Sequence, residues 1–224
     1  MAIIRRNRHL KPVVPKDEKS FIAALGLSDD HRKRYEVLVP NYYLTSFYEM
    51  DLVGLRPSGF IDEFEVKLSR TDFAADRKKT LDFQNNGQRY KLEALERGDL
   101  EVNHFWYVTP PGLIDVSKEL PSFAGLIEIG TDVRVIKFPD RLHSQKASFE
   151  ARYKIAQKAN NRFWNLKEQC LKQQRSHNLS EQISSLDLTP LNDALGMATW
   201  ENSKTAEVST KALDQLMKLL DANV

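Results

Sequence analysis

Among the 224 residues there is a single cysteine, Cys170. One thiol cannot close an intrachain disulfide and cannot build a zinc site on several thiolates, so a reducing, cytoplasmic setting is the expectation. Long apolar runs are missing as well. No stretch approaches the roughly 20 residues that a membrane helix needs. The opening MAIIRRNRHLKP is basic but leads into no apolar run, so it does not read as a signal peptide. Net charge is small, at +2, and such a balance does not by itself announce a polyanion partner. No internal repeat is visible.

Apolar residues make up 41% of the chain, enough for a real core, and charged residues make up 29%. The basic residues are unevenly placed. Residues 1–34 carry Arg5, Arg6, Arg8, Lys11, Lys16, Lys19, Arg32, Lys33 and Arg34 against Asp17, Glu18, Asp29 and Asp30. Residues 142–175 carry Lys146, Arg152, Lys154, Lys158, Arg162, Lys167, Lys172 and Arg175 against Glu150 and Glu168. Two basic ends around a more acidic middle suit a polyanion such as DNA, although solvated helix faces give the same pattern.

Periodicity divides the chain into a basic N-terminal segment with short helices over 1–40, a β-rich core over 41–140 and a helical C-terminal extension over 141–224. SFIAALGL (20–27) reads as a short helix capped by Ser20, and HRKRYEVLV (31–39) is helix-compatible up to Pro40. SFYEMDLVGLR (46–56) and FIDEFEVKLS (60–69) read as a β-hairpin around Pro57–Ser58–Gly59. Thr71 is placed to cap a helix running from Asp72 to about Arg97, with an interruption near Asn85–Asn86–Gly87 and a stop at Gly98. HFWYVTP (104–110), FAGLIEIG (123–130) and VRVIKF (133–138) read as further strands, with Trp106 and Tyr107 in the core. A long helical pattern covers 144–175, where Phe149, Tyr153, Ala156, Phe163, Leu166 and Cys170 recur at three- and four-residue steps. A last amphipathic helix is expected over 206–223.

Strand alternation places Ile61, Glu63, Glu65, Lys67 and Ser69 on one face of the second hairpin strand. On the first strand Asp51 shares a face with Glu49 and Val53. Pairing of the two strands then brings Asp51 beside Glu65 and Lys67. Two neighbouring carboxylates repel unless positive charge lies between them, and a hard cation such as Mg²⁺ meets that need with few protein ligands. An adjacent ammonium group can orient water and stabilise charge on a phosphoryl group. The chemistry so assembled is metal-assisted phosphodiester hydrolysis.

Asp51, a spacer of thirteen residues and then Glu65–Val66–Lys67 resembles the PD-(D/E)XK nuclease superfamily. EFEVKLSRTDFAADRKK (63–79) is similar to the E-x-K-x-S-x-x-D-F-x-x-D-x-x-K pattern of a branch of small phage and bacterial nuclease-like proteins, and FWYVTPPGLI and AGLIEI look like later strands of that branch. The resemblance covers roughly 46–138. It implies an α/β fold, a mixed central sheet flanked by helices with additional C-terminal helices, and a Mg²⁺-dependent deoxyribonuclease in which Mn²⁺ substitutes. Asp51 and Glu65 would hold the metal, with the Val66 backbone carbonyl completing coordination, and Lys67 would position the attacking water. It further implies DNA as partner, a homodimer or partner protein in addition, and a bacterial or phage-infected cytoplasm. Met50 stands where the superfamily places proline. For the acid that the superfamily takes from an upstream helix the candidates are Glu36 and Glu49, with Glu63 as either a further ligand or an exposed edge charge. Ser69, Asp72 or Asp76 would shape the site beside Lys67, although Asp72 and Asp76 with Lys79 also read as helix N-terminal acids with an ion pair, the preferred reading for Asp72. Gln88 or Lys91 would approach the phosphate, against the alternative of a solvated helix face. Arg5, Arg6, Arg8, Lys154, Lys158 and Arg162 are the expected DNA contacts, with Phe163 and Trp164 able to stack on bases, although helix packing accounts for Phe163 equally well. A competing expectation is a nuclease-fold protein that binds nucleic acid or assembles with protein without cutting.

Overall fold

The computed structural model describes residues 14–43, 48–83 and 87–184. Arg5, Arg6 and Arg8 and the helix expected over 206–223 lie outside them. The chain divides into two compact units, Met1–Trp164 and Asn165–Val224. The described part of the second unit is helical and exposes Cys170. Among the described residues no helix is long and apolar enough to cross a membrane.

The first unit is α/β and is organised on a six-stranded mixed sheet in the order β1-β2-β3-β6-β7-β8. β1 (Val37–Tyr42), β2 (Met50–Leu55) and β3 (Ile61–Val66) form an antiparallel meander. β6 (His104–Thr109) adds parallel to β3, β7 (Gly125–Ile129) adds parallel to β6, and β8 (Val133–Lys137) closes the row antiparallel. Between β3 and β6 the chain forms α3 (Arg70–Asp76), the two-stranded ribbon β4 (Thr80–Asp82) with β5 (Gln88–Tyr90), and α4 (Lys91–Glu96). Every residue of β3 and β6 is buried, as expected of central strands covered on both faces. The edge strand β8 is only half covered.

Each face of the sheet has its own core. On one, Phe21, Ile22 and Leu25 of α1 (Glu18–Leu27) pack with Leu52, Phe64, Val66, Trp106 and Ile127. On the other, Val53, Ile61, Phe105, Tyr107 and Leu126 meet Phe73 of α3, Ala94 and Leu95 of α4, and Ile155 of α5 (Phe149–Ser184). Trp106 and Tyr107 are core residues, as the sequence indicated.

Several local expectations are corrected. Asp17, not Ser20, caps α1; Ser20 sits three residues in and completes a reciprocal capping box. The stretch 31–39 is not one helix: α2 is confined to Asp29–Arg32, and Val37–Tyr42 is a strand. Its β-branched valines pair with β2, and Pro40 is tolerated because β1 is an edge. Nor is 72–97 one interrupted helix. Ser69, not Thr71, caps α3, which is a short helix, and the chain then runs extended. Leu81 is buried between exposed Thr80 and Asp82, a two-residue period that belongs to a strand. Gly87 takes the left-handed φ of +73° at the ribbon's turn, and Gly98 does the same at +71° beyond α4, where a stop was expected.

The long helix over 149–184 is present, but its aromatic stripe is not its core face. Ala151 and Ile155 are buried, whereas Phe149, Tyr153 and Phe163 are 85%, 57% and 58% exposed.

Candidate active site

β3 brings three acids into a strand with no exposed residue, and the pleat sends them to opposite faces. Asp62 lies on the α1 face. It accepts hydrogen bonds from the Tyr35 hydroxyl (2.7 Å), Arg56 Nε and a terminal guanidinium nitrogen (2.8 and 2.6 Å), and Trp106 Nε1 (2.9 Å), and it meets His104 Nδ1 at 3.0 Å. Burial works to raise its pKa, but the bonds from His104 and Arg56 outweigh it and leave the pKa lowered. This carboxylate is saturated by its own fold and accounts for His104, which lies away from the other two acids.

Glu63 and Glu65 lie on the opposite face, beside Phe105 and Tyr107 of β6 in the parallel register. One step beyond the ladder pair Leu52–Phe64, Asp51 stands opposite Glu65. Asp51 Oδ2 accepts the Val66 backbone N–H at 2.7 Å, which ends the ladder with a side chain. The expected meeting of Asp51, Glu65 and Lys67 is present, since Lys67 Nζ is 2.9 Å from Glu65 Oε1.

Around them is a denser charge network than the motif implies. Lys91 has no exposed surface, and its Nζ lies 2.7 Å from Glu63 Oε1 and 2.6 Å from Glu65 Oε2. The ring faces of Tyr48 and Phe105 cover the ammonium at 4.7 and 5.1 Å. Tyr48 also donates its hydroxyl to the second oxygen of Glu63. Lys79 reaches Glu65 Oε1 at 3.6 Å. The ribbon delivers both lysines: the Lys91 N–H donates to the Lys79 carbonyl at 2.8 Å, so the two side chains leave adjacent positions at its open end. Lys67 Nζ is also 3.5 Å from Asp76 Oδ1 and 3.6 Å from Asp72 Oδ1. Asp76 is buried, takes the Tyr107 hydroxyl on Oδ2 at 2.7 Å, and leaves Oδ1 without a hydrogen bond.

Burial disfavours charge on Glu65, but Lys91, Lys67 and Lys79 together pull its pKa down to about 2. Lys67 is raised, because Glu65 and Asp76 outweigh its desolvation, so it remains an ammonium. Asp51 goes the other way. Burial, followed by the negative charge of Glu65, pushes it up to about 7 despite the Val66 N–H. Glu18 on α1 adds to this rise. Glu63 is raised by burial, opposed by Lys91 and by the Tyr48 hydroxyl.

The remaining candidates are more scattered. Glu36 lies just before β1, its N–H on the Leu55 carbonyl and its carboxylate 3.9 Å from Arg152, five residues along the register from Asp51. Glu49 is exposed and takes the Tyr43 hydroxyl. Ser69 caps α3 by accepting the Asp72 N–H. Gln88 is exposed on β5. Lys154 pairs with Glu150 at 2.6 Å, Lys158 is exposed, and Arg162 donates to the Asn41 carbonyl at 2.7 Å. Lys91, expected to approach a phosphate or to lie on a solvated face, is buried instead. Sequence reasoning missed Tyr48, Tyr107 and Lys79 as members of the site. The β4–β5 ribbon brings 79 and 91 together, and its two three-residue strands carry too little alternation to have signalled this in the sequence.

No protein-family model matches the chain, and no curated protein matches it. Among solved structures it is similar to a protein of unknown function from Silicibacter pomeroyi. That similarity has 22% identity and a TM-score of 0.42, and it covers 60% of this chain and 78% of that one.

Lys91→Met leaves Glu63 and Glu65 facing one another in the core. We expect it to cost about 3–5 kcal/mol in urea unfolding, and adding Glu63→Gln should recover part of that loss. The sign for Asp51 follows from its raised pKa. Between about pH 4 and 7 the folded protein holds a proton that the unfolded chain releases, so this contribution to stability declines as pH rises. Asn at position 51 retains an acceptor for the Val66 N–H without the charge. In EDTA, Asp51→Asn should therefore match the wild type near pH 4 and exceed it at pH 8, by on the order of 2 kcal/mol.

Proposed function

We propose that this protein is a metal-dependent nuclease that hydrolyses phosphodiester bonds in DNA from a PD-(D/E)XK-type core, in the cytoplasm of a bacterial or phage-infected cell. One observation carries the reading: Asp51 and Glu65 stand opposite at the end of the β2–β3 ladder, with Lys67 2.9 Å from Glu65.

The residues fit Mg²⁺. The donors are hard oxygens, and Asp51 is held up near 7 by burial and by the charge of Glu65, a repulsion that a divalent cation relieves. Among the described residues no three His, Cys, Asp or Glu converge as a complete cage, but Mg²⁺ is commonly held by one or two carboxylates, with water and phosphate oxygens filling its other positions. Asp51 and Glu65 would hold it, with the Val66 carbonyl as a further oxygen. When bound, the metal supplies charge neutralisation at the phosphate and a more acidic water.

The chain's own residues divide the remaining work. Lys67 stays protonated and acts as a hydrogen-bond donor, not a base. It orients the attacking water and offsets charge building on the phosphate oxygens. Asp76, held by the Tyr107 hydroxyl, and Asp72 steady the Lys67 ammonium from its other side. Lys91 fixes one oxygen of Glu65 and leaves the other toward Lys67 and Lys79.

A second reading, a nuclease-like domain that binds nucleic acid or protein without cutting, is favoured by the same lysines. Glu65 already has three ammonium groups at 2.6, 2.9 and 3.6 Å, which neutralise it without a metal. Incubation with plasmid, linear duplex, single-stranded and branched DNA, in Mg²⁺ and in EDTA, separates the two. Cleavage is expected in Mg²⁺ alone and should fall about a hundredfold or more in Glu65→Gln and Lys67→Met. Glu65→Gln leaves Lys91 paired with Glu63, so the fold is retained. Cleavage that persists in that variant, or none by the wild type on any substrate, rejects the catalytic assignment.

A further inference from the structure

α5 runs beside the edge strand β1. Near its start Arg152 lies 3.9 Å from Glu36, and further along Arg162 donates to the Asn41 carbonyl at 2.7 Å. Asn41 stands opposite Asp51, between the ladder pairs Pro40–Leu52 and Tyr42–Met50. Arg162 therefore ties α5 to the sheet one strand away from Asp51, a spacing of about 5 Å. The next two residues, Phe163 and Trp164, are 58% and 60% exposed, and their rings form an edge-to-face pair with centroids 5.2 Å apart. Two large exposed aromatics that follow directly on this anchor call for an occupant.

Charge selects the occupant. Residues 146–164 contain Lys146, Arg152, Lys154, Lys158 and Arg162 against Glu150 alone, which leaves 5 − 1 = +4. Lys154 and Lys158, one turn apart, form a basic row on the same helix. Protein-binding aromatic faces are depleted in lysine at their centre, whereas aromatics among basic residues suit single-stranded nucleic acid, whose bases are available for stacking. Duplex DNA presents its backbone to such a face and keeps its bases stacked inside.

We propose that Phe163 and Trp164 form a stacking platform for unpaired bases of single-stranded DNA, with Lys154 and Lys158 of the same helix on the phosphates. This rests on the nuclease reading and narrows its substrate class to single strands and duplexes with unpaired flaps. Arg162, held by Asn41, anchors the platform to the sheet.

The test is binding in EDTA, so it does not depend on cleavage. Fluorescence anisotropy is measured with a labelled oligothymidylate and with a blunt duplex of equal length. The wild type should prefer the oligothymidylate. Trp164→Ala and Phe163→Ala should each weaken that binding by roughly fivefold to a hundredfold, with melting temperatures unchanged because both rings are exposed. Trp164→Phe should retain most of the affinity, and duplex binding should change little. Undiminished oligothymidylate binding by both alanine variants overturns the proposal, as does an equal loss on duplex. Preference for oligouridylate over oligothymidylate overturns the DNA assignment. A salt-resistant dimer in sedimentation that Trp164→Ala dissolves assigns the face to a second copy instead. Loss of the nuclease reading alone, with the platform intact, appears as selective single-strand binding without cleavage.

Discussion

The Lys91 ammonium is buried without exposure between two buried carboxylates, and much of the first unit is arranged to make that tolerable. Taking a charge out of water costs several kcal/mol unless partners replace the solvent. Glu63 and Glu65 do so at 2.7 and 2.6 Å, and the Tyr48 and Phe105 rings cover the remaining directions. The requirement propagates outward. β3 must be central so that Glu63 and Glu65 are buried. The β4–β5 ribbon must fold back so that Lys91 enters from the start of α4. Glu63, held by Lys91 and the Tyr48 hydroxyl, then serves as the counter-charge, and Glu65 is left with one oxygen toward Lys67 and Lys79.

The two faces of β3 show what separates a structural carboxylate from a candidate ligand. Asp62 and Glu65 are both buried and both end with lowered pKa values. Asp62 is bound by groups that strand and ring geometry hold in place: the Tyr35 hydroxyl, the Trp106 indole, the His104 ring and the Arg56 fork. Glu65 is neutralised by three ammonium groups: Lys91 is fully buried and Lys67 nearly so, but Lys79 has a side chain 36% exposed. A lysine at 3.6 Å is readily displaced toward solvent, whereas an indole wedged in a core is not. On the proposed reading a cation would displace Lys79 from Glu65, whereas among the partners of Asp62 only Arg56 is comparably exposed.

The β2–β3 hairpin, its register and the meeting of Asp51 with Glu65 and Lys67 were legible in the sequence, because period-two alternation and a Pro-Ser-Gly turn specify register locally. The strands at 104–109, 125–129 and 133–137 were legible as short apolar runs bounded by Pro110 and by Gly130–Thr131–Asp132. Residues 80–90 were not. A ribbon of two three-residue strands offers too few alternations to outvote the helix-favouring residues around it, and Leu81 alone marks its buried side. Burial of Lys91 was likewise hidden. A lysine that begins a polar helix reads as solvated, and only the tertiary fold brings Glu63 and Glu65 of β3 against its ammonium. The valines of β1 lost to helix-compatible neighbours because the edge pairing that decides them comes from residues 50–55.

All of this turns on whether Asp51 and Glu65 form a cation site that the lysines occupy electrostatically in its absence. Titration of Mn²⁺ into metal-free protein, with the free ion followed by electron paramagnetic resonance at pH 8, addresses that directly. Saturable binding is expected, lost in Asp51→Asn and in Glu65→Gln and kept in Glu63→Gln. No binding at millimolar Mn²⁺, or binding that survives Asp51→Asn unchanged, would contradict it.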